Sequence, residues 1–224
     1  MQGTTPLEVW DLLVDGVPLP YRLTADLVSR ALDMLREGTA RTASGADLSA
    51  ARDFGALYVG GGGAWPWLVP EGARRIAGGA FWSERGGRAL LRTPRWLVVD
   101  LGQTSVKVSW PGRRVRLPRG RRSARELLVQ AFALAAADAV CVSIPAAILP
   151  DGTPGPSTYA DLCGDLVARC LRQAGLGHAR RMVVNDAVLA AQSVRLDPTF
   201  DPAVRTLVLT LGFGVGAAVI SSEA

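Results

Sequence analysis

The sequence predicts an α/β protein of two small lobes with mixed sheets. Its 224 residues are enough for one ordinary domain or for two small lobes. Hydrophobic residues make up 49% of the chain and charged residues 20%, which provides apolar material for a sizeable core. The middle of the chain combines a meander of short strands with alternating helices and apolar strands, a pattern typical of α/β folds.

The meander is predicted from three short apolar segments separated by turn residues. Gly102 lies between the first two segments, and Pro111 with Gly112 lies between the second and the third. Two short apolar runs farther along the chain predict buried strands. The strands expected here are residues 96–100, 105–110, 114–117, 139–144 and 182–184.

Helices are predicted between and after these strands. Ser123 and Glu126 have the spacing of a capping box, which predicts a helix over residues 123–137. Ser157 is expected to begin a helix to about residue 174, before Gly175. Asp186 begins a helix to about residue 194 directly after a strand. The last strands expected are residues 204–210 and 215–221.

The first ninety residues predict a separate lobe. Asp15-Gly16 favours a hairpin between strands 7–14 and 17–19, and Thr24 is expected to cap a helix that ends before Gly38. The remaining elements expected are a short helix over residues 47–53, a strand over 56–59 and a helix over 68–77.

The net charge of +5 at pH 7 comes from one stretch of the chain. Seven arginines lie between residues 113 and 125, which leaves the rest of the chain near −2. Proline and glycine among them favour a solvated hairpin edge, and an acidic partner or a phosphate-bearing ligand is the alternative. Nucleic acid is disfavoured, because no helix-turn-helix or stacking platform accompanies the arginines. They are Arg113, Arg114, Arg116, Arg119, Arg121, Arg122 and Arg125.

Several classes of site and location are disfavoured by composition. No apolar run approaches the ~20 residues of a membrane helix, and the first residues do not resemble a signal peptide, so we expect a cytoplasmic protein. The single His178 disfavours a histidine-based triad or metal site. Cys141, Cys163 and Cys170 are expected to be buried, reduced thiols, because their spacing is not that of zinc ligands.

The segment from Asp100 to Lys107 carries the clearest chemistry. Asp100 ends a buried strand and is followed by a turn that contains Gly102, Gln103 and Thr104. A carboxylate there can hold hydrated Mg²⁺ on Asp100 while the N–H groups of the turn face a phosphate. Lys107 lies on the next strand. An ordinary hairpin with a polar turn is the alternative.

Two further glycine-rich segments permit close approach of the backbone to a phosphate or nucleotide. One is a turn between apolar strands, and the other follows a strand and precedes the helix expected over residues 68–77, whose N-terminus could face the nucleotide. Each is weak evidence by itself. The glycines are Gly212, Gly214 and Gly216 in the first segment and Gly60, Gly61, Gly62 and Gly63 in the second.

Asn185 and Asp186 lie where a strand is followed directly by a helix. Polar side chains at this position often serve only as helix caps. An aspartate at a strand end can also act as a general base toward a substrate hydroxyl. Both hypotheses remain open from these residues alone.

Taken in order, four segments resemble the superfamily of sugar kinases, actin and heat-shock chaperone ATPases, and most closely its ROK branch. Residues 99–107 (VDLGQTSVK) are similar to the first phosphate motif, and residues 210–216 (TLGFGVG) to the second. Residues 142–148 (VSIPAAI) are similar to the Pro-Gly segment, and residues 184–187 (VNDA) to the element with the catalytic aspartate. The resemblance implies an actin-like, ribonuclease-H-like ATPase fold.

The resemblance also implies roles for individual residues. Asp100 would handle Mg²⁺, the two glycine turns would bind the β- and γ-phosphates of ATP, and Asp186 would be the catalytic base. Pro145 and Asn185 would contact the acceptor molecule.

The segment that resembles the adenosine motif of this family comes early in the chain, at residues 57–64 (LYVGGGGA). Joining residues 219–224 to residues 9–16 would restore the strands expected after the second phosphate motif. We therefore expect a circular permutation, with a first lobe of residues 93–187 and a second lobe of residues 1–92 plus 188–224.

The expected function is ATP-dependent phosphoryl transfer to a hydroxyl of a small sugar-like or polyol-like molecule. The alternative is a non-catalytic or slow ATPase, actin-like or regulatory, that acts through a protein partner. Phe213 stands where these kinases have threonine, and their Glu-x-Gly-His sugar element is missing, which favours the alternative. Asn185 and Asp186 favour the kinase. A homodimer is left open.

Overall fold

The computed structural model describes residues 7–14, 17–18, 25–39, 41–42, 53–61, 64, 66–149, 152–155, 157, 159–212 and 215–221. The chain divides into two compact units. Unit one comprises Met1–Trp82 and Ser193–Ala224, and unit two comprises Ser83–Gln192. Within the described ranges, every helix is too short or too polar to span a lipid bilayer.

The strands and helices follow one another along the chain in a β-rich order. The strands are β1 (Leu7–Val14), β2 (Val17–Pro18), β3 (Arg41–Thr42), β4 (Ala56–Gly60), β5 (Arg74–Arg75), β6 (Trp96–Leu101), β7 (Ser105–Trp110), β8 (Arg113–Pro118), β9 (Ala139–Ile144), β10 (Arg180–Asn185), β11 (Thr206–Leu211) and β12 (Val215–Ile220). The α-helices are α1 (Ala25–Glu37), α2 (Ser83–Leu91), α3 (Ala124–Phe132), α4 (Leu166–Gln173) and α5 (Asp186–Val194).

Unit two contains a mixed sheet with the strand order β10-β9-β6-β7-β8. The pairs β6–β7 and β7–β8 are antiparallel, which confirms the predicted meander. The pairs β6–β9 and β9–β10 are parallel. Helices α3 and α4 supply the crossover connections that parallel neighbours require.

One face of this sheet forms the core of unit two with α3 and α4. Val99, Val106 and Val142 alternate with residues of the opposite face, and they pack in one cluster with Leu127 of α3 and Leu171 of α4. All five are at most 2% exposed. Full burial of each such side chain contributes about 1.5–3 kcal/mol to folding before entropy is counted.

Helix α2 packs against β6 and β9, and the sequence analysis did not predict it. Its residues Gly86 and Gly87 have low helix propensity, so the segment does not resemble a helix. A Cβ atom at Gly87 would lie 2.6 Å from Cγ2 of Val98. The glycine is therefore needed for the close approach of the helix to the strand, an advantage that becomes evident only in the packed structure.

Unit one has a mixed sheet with the strand order β2-β1-β12-β11-β4-β5, and β3 also pairs with β1. β1–β12 and β11–β12 are antiparallel, whereas β4–β11 and β4–β5 are parallel. Helix α1 packs its residues Leu32 and Leu35 into a cluster with Val59 and Leu209 of the sheet. Strands from both parts of unit one thus form one sheet.

Most predicted strands and the capping box are confirmed, with small shifts in their bounds. The hydroxyl oxygen of Ser123 accepts a hydrogen bond from the Glu126 N–H, and the Glu126 carboxylate accepts one from the Ser123 N–H. Helix α3 ends at Phe132, earlier than the predicted residue 137, because the chain must turn before β9 begins at Ala139.

The helix predicted from Ser157 to residue 174 is wrong in its first part. Helix α4 begins only at Leu166. The Ser157 hydroxyl accepts a hydrogen bond from the Tyr159 N–H in a local turn. Gly164 has a positive φ of 52°, which a continuous right-handed helix does not contain.

The helix predicted over residues 68–77 is also wrong. A single 3₁₀ turn over Pro66–Leu68 is followed by a turn at Gly72, with φ 76°, and then by β5. Pairing of β5 with β4 replaces the hydrogen bonds of the expected helix. The Asp15-Gly16 turn, the Thr24 cap and residues 47–52 of the short predicted helix lie outside the described residues.

Candidate functional site

The turn between β6 and β7 carries a buried ion pair. Asp100 and Lys107 are direct neighbours on these antiparallel strands, so their side chains lie on the same face of the sheet. Lys107 Nζ lies 3.2 Å from Asp100 Oδ2, and the two side chains are only 11% and 6% exposed. Because neither charge is fully solvated, each depends on the other for compensation.

Gly102 allows the Lys107 ammonium to lie over the turn. A Cβ atom at this position would be 2.7 Å from Lys107 Nζ and 3.0 Å from the carbonyl oxygen of Ser105. The Gly102 N–H donates to the carbonyl of Asp100 at 3.1 Å, which tightens the turn. A side chain here would displace the ammonium from its position beside the carboxylate.

Two residues outside the hairpin bind the carbonyl side of the same turn. The Tyr159 hydroxyl donates to the Gly102 carbonyl at 2.6 Å, and the Arg119 N–H donates to the Thr104 carbonyl at 2.9 Å. Arg119 Nη1 donates to Gln103 Oε1 at 2.6 Å. The sequence analysis counted Arg119 only as part of the basic stretch and did not single out Tyr159, because both contacts are distant in sequence.

Tyr159 remains a hydrogen-bond donor at neutral pH. Burial raises the pKa of its hydroxyl to about 12, although the nearby Arg119 charge acts in the opposite direction. The Arg119 guanidinium lies 3.8 Å from the centroid of the Tyr159 ring. The turn is therefore fixed by a stacked cation and a neutral phenol.

Beside Asp100, the next strand contributes a serine and a cysteine on the same face. Ser143 of β9 pairs with Asp100, and its buried Oγ has no hydrogen-bond partner among the described residues. Cys141 lies two residues earlier on β9. Burial, assisted by the Asp100 charge, raises the pKa of its thiol to about 12, so Cys141 is an unreactive neutral group at pH 7.

Parallel strands place the Asn185-Asp186 element at the same edge of the sheet as Asp100. The backbone register aligns Asp100 of β6 with Ser143 of β9, and Ser143 with Val184 of β10. Asn185 therefore ends β10 one residue beyond this row, and Asp186 begins α5. With about 4.8 Å between neighbouring strands, the ends of β6 and β10 are ~10 Å apart.

Asn185 connects the loop after β9 to the start of α5. Its Nδ2 donates to the Ala146 carbonyl at 3.0 Å, and its Oδ1 accepts from the Ala187 N–H at 2.8 Å. Asp186 is half-buried, and its Oδ1 accepts from the same N–H at 2.8 Å. Pro145, half-buried, immediately precedes the anchored Ala146. Both side chains of the Asn-Asp pair thus contact the first turn of α5.

In unit one, the glycine run after β4 permits close approach to β11. A Cβ atom at Gly61, where φ is 101°, would lie 2.2 Å from the Leu211 carbonyl oxygen. At Gly60 the corresponding space is filled by Ile76, whose Cδ1 would be 2.7 Å away. The helix whose N-terminus was expected to face a nucleotide is not formed, because a 3₁₀ turn follows here instead. Gly62 and Gly63 lie outside the described residues.

The end of β11 presents a small, neutral row of residues. Thr210 is 2% exposed, and its Oγ1 has no hydrogen-bond partner within the described ranges. In register, Gly216 of β12 is its neighbour on one side and Gly60 of β4 on the other. Gly212 is exposed, whereas Phe213 and Gly214 lie outside the described residues.

Most of the arginines over residues 113–125 make contacts within unit two. Arg114 pairs with Glu84 at 2.6 Å, and this pairing raises the pKa of Arg114. Other arginines of this stretch bind Ser105, Gln103, Gln130 and Gln173. Strand β8 is at one end of its sheet, so these contacts support the interpretation as a solvated edge.

A magnesium ion that is shared with a phosphate ligand would require one carboxylate at the β6–β7 turn. The described part of the chain contains no group of three or more His, Cys, Asp or Glu residues that could hold a metal by themselves. Mg²⁺ commonly binds one or two carboxylates and takes its other ligands from water and phosphate. Asp100 would be the protein ligand in such a site.

The chain was compared with protein families, with curated proteins and with solved structures. No protein-family model and no curated protein sequence matches the chain. The structure is similar to the crystal structure of a ROK family protein from Streptococcus pneumoniae TIGR4 in complex with sucrose, with a TM-score of 0.40 and 17% identity. The match covers 58% of this chain and 47% of that chain, so it spans about half of that protein's length.

Proposed function

We propose that this protein transfers the γ-phosphoryl group of ATP to a hydroxyl of a small sugar-like or polyol-like molecule. The observation that carries this proposal is the carboxyl edge of the unit-two sheet. There Asp100, which is paired with Lys107, lies near the end of β6, and the Asn185-Asp186 element lies at the end of β10, which runs in the same direction as β6. Ligands of open α/β sheets bind at this edge.

In the proposed reaction, the acceptor oxygen forms a bond to the γ-phosphorus while the bond from that phosphorus to the β–γ bridging oxygen breaks. ADP leaves, and the proton of the acceptor hydroxyl passes to the Asp186 carboxylate. Lys107 and the N–H groups of the β6–β7 turn stabilise the charge on the phosphates. Mg²⁺ held by Asp100 would neutralise further negative charge.

Asn185 is assigned a positioning role in addition to contact with the acceptor. Its amide fixes the start of α5 against the loop that contains Pro145 and Ala146. The Asp186 carboxylate is thereby held at the first turn of the helix. Pro145 is assigned to the acceptor site because it follows the end of β9 at the same edge.

The glycine-rich segments of unit one are proposed to bind the nucleotide. Gly60 to Gly63 would contact the adenosine, and Gly212, Gly214 and Gly216 would contact a phosphate. The support is the row in which Thr210, whose hydroxyl has no partner among the described residues, lies between Gly60 and Gly216. A row without bulky side chains permits close approach of a ligand to the backbone.

We also propose that the chain is circularly permuted. The expected lobes of residues 93–187 and of residues 1–92 plus 188–224 differ from units two and one in residues 83–92 and 188–192, which lie in unit two. The support is that the two sheets share one arrangement of strand order and direction. The order β5-β4-β11-β12-β1 in unit one corresponds to the order β10-β9-β6-β7-β8 in unit two. In unit one, however, β1, β4 and β5 precede β11 and β12 in the chain. A rearranged chain in which residues 83–224 precede residues 1–82 should fold with a similar melting temperature. Failure of that chain to fold would contradict the permutation.

A second candidate function is a nucleotide-binding regulatory module without rapid turnover. One observation favours it: the Asp186 carboxylate accepts a hydrogen bond from its own helix, which is the behaviour of a helix cap. If Asp186 only caps α5, the protein has no general base for an acceptor hydroxyl.

The Asp186→Asn variant separates the two functions. A general base contributes about 10²–10⁴-fold to the rate, so the variant should bind ATP normally and lose that factor in phosphorylation of sugars and polyols. Asp165→Asn, at the start of α4 in the same unit, is the matched control and should leave the rate unchanged. Equal phosphorylation rates in wild type and Asp186→Asn would contradict the base, and ATP binding without any phosphorylation by the wild type would favour the regulatory module.

A further inference from the structure

The side chain of Gln103 is held in one orientation by Arg119. Arg119 Nη1 donates to Gln103 Oε1 at 2.6 Å and also approaches the Gln103 carbonyl oxygen at 3.4 Å. A guanidinium group has donors only, so the oxygen of the Gln103 amide must face it and the NH₂ group must point elsewhere. Among the described residues, none accepts a hydrogen bond from this Nε2. A donor with a fixed direction therefore remains available at the turn.

Arg119 is itself fixed by several contacts. Its guanidinium stacks on the Tyr159 ring, and its N–H binds the Thr104 carbonyl. Tyr159 is 2% exposed, and its hydroxyl binds the Gly102 carbonyl. The carbonyl oxygens of Gly102, Gln103 and Thr104 are thus all contacted by Tyr159 or by Arg119.

The charges near the turn favour an anionic ligand. Asp100 and Lys107 form a pair with no net charge, and Arg119 adds one positive charge that is half-buried. A stacked arginine with a directed hydrogen bond has a geometry that a lysine cannot reproduce, because the ammonium lacks the planar fork.

We propose that Arg119 is a positioning residue that orients the Gln103 amide, so that its Nε2–H donates to the phosphate chain of the ligand at the β6–β7 turn. The Tyr159 ring stacks against the Arg119 guanidinium and holds it in place. This inference rests on the proposed function and adds to it a specificity-determining donor, Gln103, and the residues that aim it. An oriented donor loses less conformational freedom on binding than a mobile one.

The first test compares MgATP affinities by calorimetry. Gln103→Met removes the donor, and Arg119→Lys keeps the charge but loses the orientation, so each should weaken binding about tenfold. The double variant should bind no more than about twofold more weakly than either single variant, because both changes remove the same interaction. Arg121→Lys, an exposed arginine of the same loop, is the control and should bind as the wild type does. Wild-type affinity of both single variants, or fully additive losses, would overturn the inference.

Gln103→Glu distinguishes ligand binding from a purely structural role. A glutamate still accepts from Arg119, so the turn should keep its stability, which thermal unfolding checks. It offers a carboxylate instead of an NH₂ group, so MgATP binding should be weaker than in Gln103→Met. Equal binding by Gln103→Glu and the wild type would show that the side chain only supports the turn.

Inorganic triphosphate separates this inference from the proposed function. The side-chain amide signal of Gln103, assigned by its loss in Gln103→Met, should shift when triphosphate is added to the ¹⁵N-labelled protein, and the shift should be lost in Arg119→Lys. A shift with triphosphate but no binding of MgATP would keep the inference and contradict the proposed function. No shift with triphosphate would overturn the inference whatever the result with MgATP.

Discussion

The β6–β7 turn of unit two and the β11–β12 turn of unit one have equivalent places in similarly ordered sheets. Asp100 is the penultimate residue of β6, and Thr210 is the penultimate residue of β11. Their neighbours differ: Lys107 and Ser143 flank Asp100, whereas Gly216 and Gly60 flank Thr210. One row is charged and filled with side chains, and the other is neutral and small.

This difference shows that the same backbone arrangement can carry two chemically different rows of residues. In the charged row, electrostatic attraction holds Lys107 beside Asp100, and the rest of the turn is fixed by Arg119 and Tyr159. In the neutral row, glycine stands at two positions: Ile76 fills the space beside Gly60, and Gly216 is half-buried. The first row attracts and orients charge, and the second permits close contact.

The largest effect is expected where the charged row loses its cation. Lys107→Met leaves Asp100 buried without compensation and should lower the free energy of unfolding by about 3–5 kcal/mol at pH 7. Urea denaturation measures this, and adding Asp100→Asn should recover much of the loss. Arg95→Met, which breaks the exposed pair with Asp138, is the control and should cost less than ~1 kcal/mol. Similar losses for Lys107→Met and Arg95→Met would contradict the importance of burial at Asp100.

The next effect tests close approach in unit one. Gly61→Ala combines an unfavourable positive φ with a collision against the Leu211 carbonyl, so we expect a loss of about 2–4 kcal/mol. Gly112→Ala also has a positive φ, 74°, but its Cβ would meet no atom within 4 Å. This control should lose only ~1 kcal/mol. Thermal unfolding of the two variants compares them directly, and equal losses would exclude the collision as a cause.

A smaller effect, of opposite sign, is expected at Thr210. Thr210→Val removes a buried hydroxyl without a described partner and should stabilise the protein by about 1 kcal/mol. Thr206→Val removes a hydroxyl that donates to the Val204 carbonyl two residues earlier in the chain, so it should destabilise by a similar amount. If Thr210→Val is destabilising as well, its hydroxyl has a structural partner. Weaker MgATP binding by Thr210→Val alone would support the nucleotide role of this row.

The effect expected to be smallest at neutral pH concerns the proton of Tyr159. Burial raises the pKa of Tyr159 to about 12 in the folded protein, above its ordinary value of 10.0. The unfolded chain therefore releases this proton first, and the stability that it contributes is present below pH 10 and is lost as the pH rises toward 12. Tyr159→Phe should show a shallower loss of stability over this range. Parallel pH profiles of the two proteins would contradict the raised pKa of the buried Tyr159 hydroxyl.

The sequence by itself determined the parts of the fold that depend on neighbouring residues. The strand pattern predicted the meander, and the spacing of Ser123 and Glu126 predicted the cap of α3. The segment from Asp100 to Lys107 was predicted as a strand, a glycine turn and a second strand, whereas the register that pairs these two residues came from the structure.

The tertiary structure alone decided features that depend on distant residues. Helix α2 contains two glycines and forms because Gly87 fits against Val98, and β5 replaces a predicted helix because it pairs with β4. The support of the β6–β7 turn by Tyr159 joins residues 57 positions apart. Local propensity cannot indicate such contacts, since the free energy that favours them is gained only when separate segments pack together.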